Sequence, residues 1–386
     1  MNTYNPSMRI VIAPQAFKGS IRGIDVAKAM DEGVHRVYPG ATTILIPIAD
    51  GGDGTLDSLL QGDRCELFQT TVTGPLGSSI TEASWGVMGD SKTAVIELAQ
   101  ASGLALVSKS SRNPRLATTY GTGELIQAAL DKGYQRIIVG LGGSATNDGG
   151  SGIAQALGAK FTYANGAINL QGGAALGKLE HIDTMCMDSR LTRCHIRAAA
   201  DVINPLCGPE GASAVYGPQK GATAAVVEEL DHALAHYAQV ILRDIGIDIM
   251  ALPMAGAAGG TGGGLVAFLG AELEAGGDII CDALGLDSHL QGAELVLTGE
   301  GQLDNQTIYG KAPVSISQRT QALGIPTIAI VGALGKGYSS VFKYGITAVE
   351  IASPHAMPLH EAMDKAYPLI RDATERAVMK YAQQHP

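Results

Sequence analysis

The chain has 386 residues, 46% of them hydrophobic and 17% charged, with a formal net charge of −10. That balance suits a globular protein with more than one core, and the negative surplus argues against a nucleic-acid or anionic-membrane partner while leaving a phosphate ligand open. Five cysteines without a CxxC pair, a first segment lacking the apolar core of a signal peptide and no uninterrupted apolar run of bilayer length point to no disulfide framework, no zinc site, no membrane span and a cytoplasmic location.

Residues 9–13 read as a first strand, 24–37 as an amphipathic helix, 43–48 as a second strand and 55–60 as the start of a second helix. This βαβα opening implies a parallel sheet. The texture then changes: 70–73, 81–87 and 94–97 look like antiparallel strands, with the turn Gly74-Pro-Leu-Gly77 between the first two. Helices follow, with further strands at 136–139 and 195–199. The βα pattern returns late, with strands at 294–298, 327–331 and 346–351, a helix at 313–323 and a closing amphipathic helix at 359–381. The expected fold is therefore α/β. A discontinuous flavodoxin-like parallel-sheet domain, 1–75 with 288–386, carries an inserted mixed α/β domain at 76–287. The 51 glycines, about twice the usual share of roughly 7%, cluster at the ends of these elements and read as binding loops.

Ligands of open parallel sheets gather at the carboxyl ends of strands, and three polar runs fall there. The first, 14–20, holds Lys18. The second, 49–55, holds Asp50 and Asp53 around two glycines. The third, 299–307, holds Glu300, Asp304, Gln306 and Thr307 and is followed by Gly310-Lys311. Grouped carboxylates suit a hard cation such as Mg²⁺, with Asp50 and Glu300 as the candidate ligands, or a general base; Asp50 and Asp53 are equally placed to cap the next helix. Lys18 and Lys311, flanked by glycine, are candidate phosphate contacts.

The expected insert contributes the run LGGSATNDGG, 141–150, between a buried strand and a helix. Gly142 and Gly143 would uncover backbone N–H groups, and Ser144, Asn147 and Asp148 add polar side chains; a phosphate or polyhydroxy ligand fits, as does a tight turn with a capped helix. Asp201 and Asn204 follow the strand at 195–199, and Gln219 and Lys220 stand in a Pro/Gly turn. The run PMAGAAGGTGGGL, with Gly256, Gly259, Gly260 and Gly262, offers either a nucleotide cradle or close helix packing. No GxxxxGK[ST], GxSxG or HExxH occurs, and no complete dinucleotide fingerprint follows a strand.

Taken in order, IAPQAFKGS, ADGGDGT, TVTGPLG, TTYGTGELI, GLGGSATNDGG, DVINPL, GPQKGA, AGAAGGTGGGL and LTGEGQLDNQT with its GK resemble the bacterial glycerate kinase family. The resemblance implies two α/β domains with the active site in the cleft between them, and D-glycerate and ATP as substrates with Mg²⁺. It favours 2-phosphoglycerate as product and leaves homo-oligomerisation open. It also implies Lys18, Lys220 and Lys311 as charge stabilisers, and Asp50, Asp53, Glu300 and Asp304 as metal ligands or base. Gln15 and Ala16 depart from the family's usual Asp and Ser, Gln302 from Arg, Met254 from Gly and Asp53 from Glu. The alternatives are a kinase of another small hydroxy acid and, favoured only by Gln15 and Ala16, an inactive sugar-acid-binding regulator.

Overall fold

The computed structural model describes residues 8–48, 56, 59–60, 65–77, 80–164, 166, 168–169, 171–308, 310–353 and 357–385. Strands β1 (Arg9–Pro14) and β2 (Thr42–Leu45) open one sheet. Strands β3 (Glu66–Thr73), β4 (Ile80–Val87), β5 (Thr93–Glu97) and β6 (Arg136–Gly140) begin a second, and β7 (Lys160–Tyr163) forms a two-stranded sheet with β8 (Leu179–Asp183). Strands β9 (His195–Ala200) and β10 (Glu272–Ala275) complete the second sheet, and β11 (Leu295–Leu303), β12 (Thr327–Leu334) and β13 (Ile346–Ile351) return to the first.

The chain divides into two compact units, Met1–Asp50 with Ala275–Pro386, and Gly51–Glu274. The expected boundaries at 75/76 and 287/288 are corrected to 50/51 and 274/275. Along its whole length β3 pairs antiparallel with β4, so it belongs to the second unit. Helix Gly276–Ala283 packs on helix Ala312–Ala322 and so belongs to the first.

The first unit is a five-stranded parallel sheet in the order β13-β12-β11-β1-β2. Numbered within the unit, that is the flavodoxin-like order 2-1-3-4-5. The early and late strands share one layer as expected, with Ile10 opposite Leu295 through Pro14 opposite Gly299. Ile10, Val11, Ile12, Leu295, Val296 and Leu297 are all buried, which is why these segments read as continuous apolar runs rather than alternating ones. Strand order reverses between β1 and β11, so their carboxyl ends form the switch point where open α/β sheets bind ligands.

Helix Gly23–Val37 lies on helix Ala366–Gln384. Gly33 makes that approach possible: a Cβ there would stand 2.7 Å from Thr374 Cβ and press on the Arg371 carbonyl. Gly33→Ala is expected to destabilise the protein by about 1–3 kcal/mol through overpacking. Thermal melting checks this, and an unchanged midpoint would show that the helices can part at no cost.

The second unit holds the six-stranded sheet β10-β9-β6-β5-β4-β3, antiparallel from β3 to β5 and parallel from β5 through β6 to β9. Its core includes the fully buried Trp85, stacked on Phe68 with ring centroids 4.6 Å apart.

Three elements differ from their sequence reading. Strand β2 ends at Leu45, although the N–H groups of Ile46 and Ile48 still reach the Ile12 and Pro14 carbonyls at 2.8 Å; Pro47 is tolerated between them because its nitrogen points away from β1 at the sheet edge. The closing helix is two helices, Leu359–Asp364 and Ala366–Gln384, separated at Lys365. Strand β11 runs on to Leu303, where the sequence suggested a turn from Gly299, because β12 pairs with it as far as Leu334. Among the described residues no helix is long and apolar enough to cross a membrane.

Candidate active site

In the first unit the switch point is built by β1 and β11. Beyond Pro14 the chain leaves the sheet, while β11 continues. The Gln15 N–H bonds to the Gly299 carbonyl at 2.8 Å, adding one rung past the paired strands. Glu300 therefore lies on a strand rather than in a turn, beyond the last β1 partner, and is buried. Its Oε1 accepts a hydrogen bond from the buried Thr307 hydroxyl at 2.7 Å, and Lys311 Nζ stands 3.5 Å from its Oε2.

Asp304 organises the following turn. Its Oδ1 accepts from the Gln306 N–H at 2.8 Å and its Oδ2 from the Gln302 amide at 3.1 Å. Asp304 is thus a turn-former beside the site, and Gln306 is exposed with its N–H committed to that turn. Lys18 is exposed, and its backbone would adjoin a Cβ placed on Gly301. Asp50 and Asp53 lie outside the described residues.

The second unit carries the 141–150 loop. Gly143 is exposed and has φ +69°, a conformation that glycine adopts without strain. The Gly143 carbonyl accepts from the Leu104 N–H at 2.7 Å, and the Ala145 N–H reaches the Ser102 carbonyl at 2.9 Å, so the loop is clamped to the segment around Gly103. Lys220 sits within this loop's hydrogen-bond network. It is 2% exposed, and its Nζ donates to Ser144 Oγ at 2.8 Å and to the Thr146 carbonyl at 2.6 Å. Burial pulls the Lys220 ammonium down to about 7, against the opposing pull of Asp148. Two buried atoms of the same loop, Thr146 Oγ1 and Asn147 Oδ1, have no hydrogen-bond partner, while Asn147 Nδ2 donates to Ser213 Oγ at 3.0 Å.

Asp148 corrects the expectation of a ligand-facing carboxylate. It is fully buried and accepts four bonds: from the Thr119 N–H (2.8 Å) and hydroxyl (2.9 Å), and from the N–H groups of Gly150 (3.2 Å) and Gly152 (3.3 Å). Burial pushes its carboxyl up and these donors pull it back. The N–H groups at the start of helix Ser151–Ala156, expected to face an anion, are thus held by the chain's own acid.

The small-residue run takes the packing alternative. Residues Ala257–Leu269 form a helix with left-handed backbone at 258–260. A Cβ on Gly259 would strike the Thr146 carbonyl, one on Gly256 the Pro205 carbonyl and one on Gly262 the Met254 carbonyl; one on Gly260 would crowd Leu206 and Gly149. Gly149 also donates its N–H to the Gly259 carbonyl at 3.1 Å. These glycines let the helix buttress the loop from behind and are buried against protein.

Asn204 is tied down as well, its Nδ2 donating to the Glu210 carbonyl at 2.7 Å and its Oδ1 accepting from the Tyr216 hydroxyl at 2.8 Å. Asp201 is half-buried, and Gln219 is exposed with its carbonyl accepting from Arg112 at 3.1 Å. Sequence reasoning missed two supports. Thr119 lies in the quoted run TTYGTGELI but received no role there. Tyr237, whose hydroxyl reaches the Gly149 carbonyl at 3.3 Å, sits in a long helix with nothing local to mark it. Among the described residues no three His, Cys, Asp or Glu side chains gather as a metal site.

Residues 10–382 match the glycerate kinase family. A glycerate kinase of Halalkalibacterium halodurans is 47% identical over 364 residues, 94% of this chain and 96% of that protein. A glycerate 2-kinase of Escherichia coli is 46% identical over 360 residues, 93% and 94% of the two chains. A crystal structure from Salmonella typhimurium assigned as glycerate kinase 2 superposes with a TM-score of 0.85 at 44% identity, over 98% of this chain and all of the other. With its flavodoxin-like sheet, its glycine-rich loop around a buried lysine and these similarities over nearly its full length, the chain belongs to the glycerate kinase family.

Proposed function

We propose that this chain transfers the γ-phosphoryl group of ATP to a hydroxyl of D-glycerate, giving 2-phosphoglycerate and ADP in the cytoplasm. The observation that carries the reading is the Lys220 ammonium held between Ser144 and the Thr146 carbonyl, beside the exposed Gly143. A cation fixed within a glycine-rich loop suits phosphoryl oxygens, whose transfer needs positioning and charge neutralisation more than covalent chemistry. Gly143 is exposed and Gly142 half-buried on the open side of that loop, the buried Ser144 stands behind them, and Asp148 and the 257–269 helix hold its shape. In the first unit we assign Glu300 to the acceptor hydroxyl as general base, positioned by Thr307, with Lys311 and Lys18 as charge partners.

A buried carboxylate next to a hydroxyl has the hard-oxygen chemistry that Mg²⁺ takes, so Glu300 also fits as the residue that would hold the ion. When bound, Mg²⁺ would neutralise charge on the nucleotide phosphates. The preference for the 2-phosphate is supported by the name of the Escherichia coli relative, and the cytoplasm by five free cysteines.

The test mixes the protein with ATP, Mg²⁺ and D-glycerate and follows ADP, then adds enolase without a phosphoglycerate mutase. ADP release with direct conversion by enolase is expected. No ADP would overturn the kinase reading, and ADP with a product that enolase ignores would overturn the regiochemistry. Glu300→Gln is expected to lower turnover by about 10²-fold or more with little change in melting temperature. Near-native turnover in that variant would remove Glu300 from the chemistry.

A further inference from the structure

Gln15 is the first residue beyond β1. Its side chain is 5% exposed, and its Nε2, which carries two N–H donors, is buried without a hydrogen-bond partner. Its backbone is fixed by the bond to the Gly299 carbonyl, so the residue is anchored where strand order reverses between β1 and β11. The polar groups on the neighbouring strand are already engaged. Glu300 Oε1 takes the Thr307 hydroxyl, and Lys311 stands at Oε2. Buried donors in native proteins are nearly always paired, so an orphan donor at a switch point marks a partner that arrives from outside the fold.

We propose that the Gln15 side-chain amide is a specificity-determining contact that donates to an anionic oxygen of the ligand bound at the β1–β11 strand ends. Resting on the kinase reading, that oxygen belongs either to the carboxylate of the hydroxy acid or to a phosphate of the nucleotide. An amide suits either. It donates without adding charge, needs no metal to bridge two anions, and can turn about its side-chain torsions to meet an acceptor. An acidic side chain at the same place would repel the same oxygen unless a cation stood between them.

Gln15→Leu and Gln15→Glu test this. Leucine removes the donor and leaves no polar group unsatisfied, so the variant should melt at or above the wild-type temperature. Its KM for either D-glycerate or ATP should rise about tenfold or more, with the change in KM rather than kcat. Gln15→Glu should raise the same KM further. Which substrate responds identifies the oxygen. If KM for both substrates stays within about twofold of wild type, or if any loss merely tracks thermal stability, the proposal is overturned and the amide is a packing residue. Should wild-type protein release no ADP, the kinase reading fails on its own. Calorimetric titration of each variant with D-glycerate and with ATP then still decides Gln15, since weakened binding supports the contact and unaltered binding removes it.

Discussion

Lys220→Met is expected to lower kcat/KM by on the order of 10²–10³-fold, the loss typical of deleting a preorganised charge that stabilises a transferring phosphoryl group. The methionine keeps much of the apolar stem in a site that is 2% exposed, so the fold should survive. The pH dependence makes the prediction sharper. Burial depresses the Lys220 pKa to about 7 from 10.5. In the free enzyme the charged form is therefore lost as pH rises through about 7, and kcat/KM, which reports free-enzyme ionisation, should fall on that side.

Lys220→Arg, if it retains activity, should lack that alkaline limb, because guanidinium stays charged. Stability runs the other way. A depressed lysine pKa favours the folded state above the unfolded pKa of 10.5, and that contribution is lost as pH falls towards about 7. Lys220→Met should therefore flatten the dependence of Tm on pH between about 7 and 10.5. A wild-type-like kcat/KM in the methionine variant would sink the assignment of Lys220 to the phosphoryl group.

Much of this arrangement was legible in the chain. The buried strands of the first unit read as apolar runs because both their faces are covered. Glycine next to polar residues marked the loop around Ser144 and the turn of Lys220; Ser144 and Lys220 lie 76 positions apart, yet the loop and the turn meet through the two hydrogen bonds that Lys220 donates to Ser144 and the Thr146 carbonyl. What the sequence did not reveal is the direction of side chains. Asp148 stands among glycines as a ligand-binding acid would, but it turns inward because Thr119, 29 positions earlier, brings two donors to it. The glycines at 256–262 were ambiguous for the same reason. Glycine admits close approach by anything, and here the Thr146 and Pro205 backbone comes close to Gly259 and Gly256. Strand β11 ran past its expected end because pairing with β12, a contact distant in sequence, outweighed the local glycines at 299 and 301.

Asp148→Ala should be the most destabilising of these substitutions. It would strand the N–H groups of Thr119, Gly150 and Gly152 and the Thr119 hydroxyl in a fully buried place. Removing one side of such a network costs about 3–5 kcal/mol, because each orphaned donor keeps its desolvation penalty. For a unit of this size that corresponds to a fall in Tm on the order of 10 °C. Activity should fall with it by two routes. The loop would lose the acid that fixes the start of helix Ser151–Ala156. Lys220 would also lose the negative charge that opposes the effect of burial, so its pKa would drop further and less of it would be charged near neutral pH. Thr119→Val separates these routes. It deletes the hydroxyl donor, which also accepts from the Ile153 N–H at 3.1 Å, and leaves the Asp148 charge in place. That variant should lose about 1–2 kcal/mol of stability and keep the alkaline limb of kcat/KM at its wild-type position. Melting of Asp148→Ala within about 2 °C of wild type would mean the four donors find other partners, and the acid would no longer account for the shape of the loop.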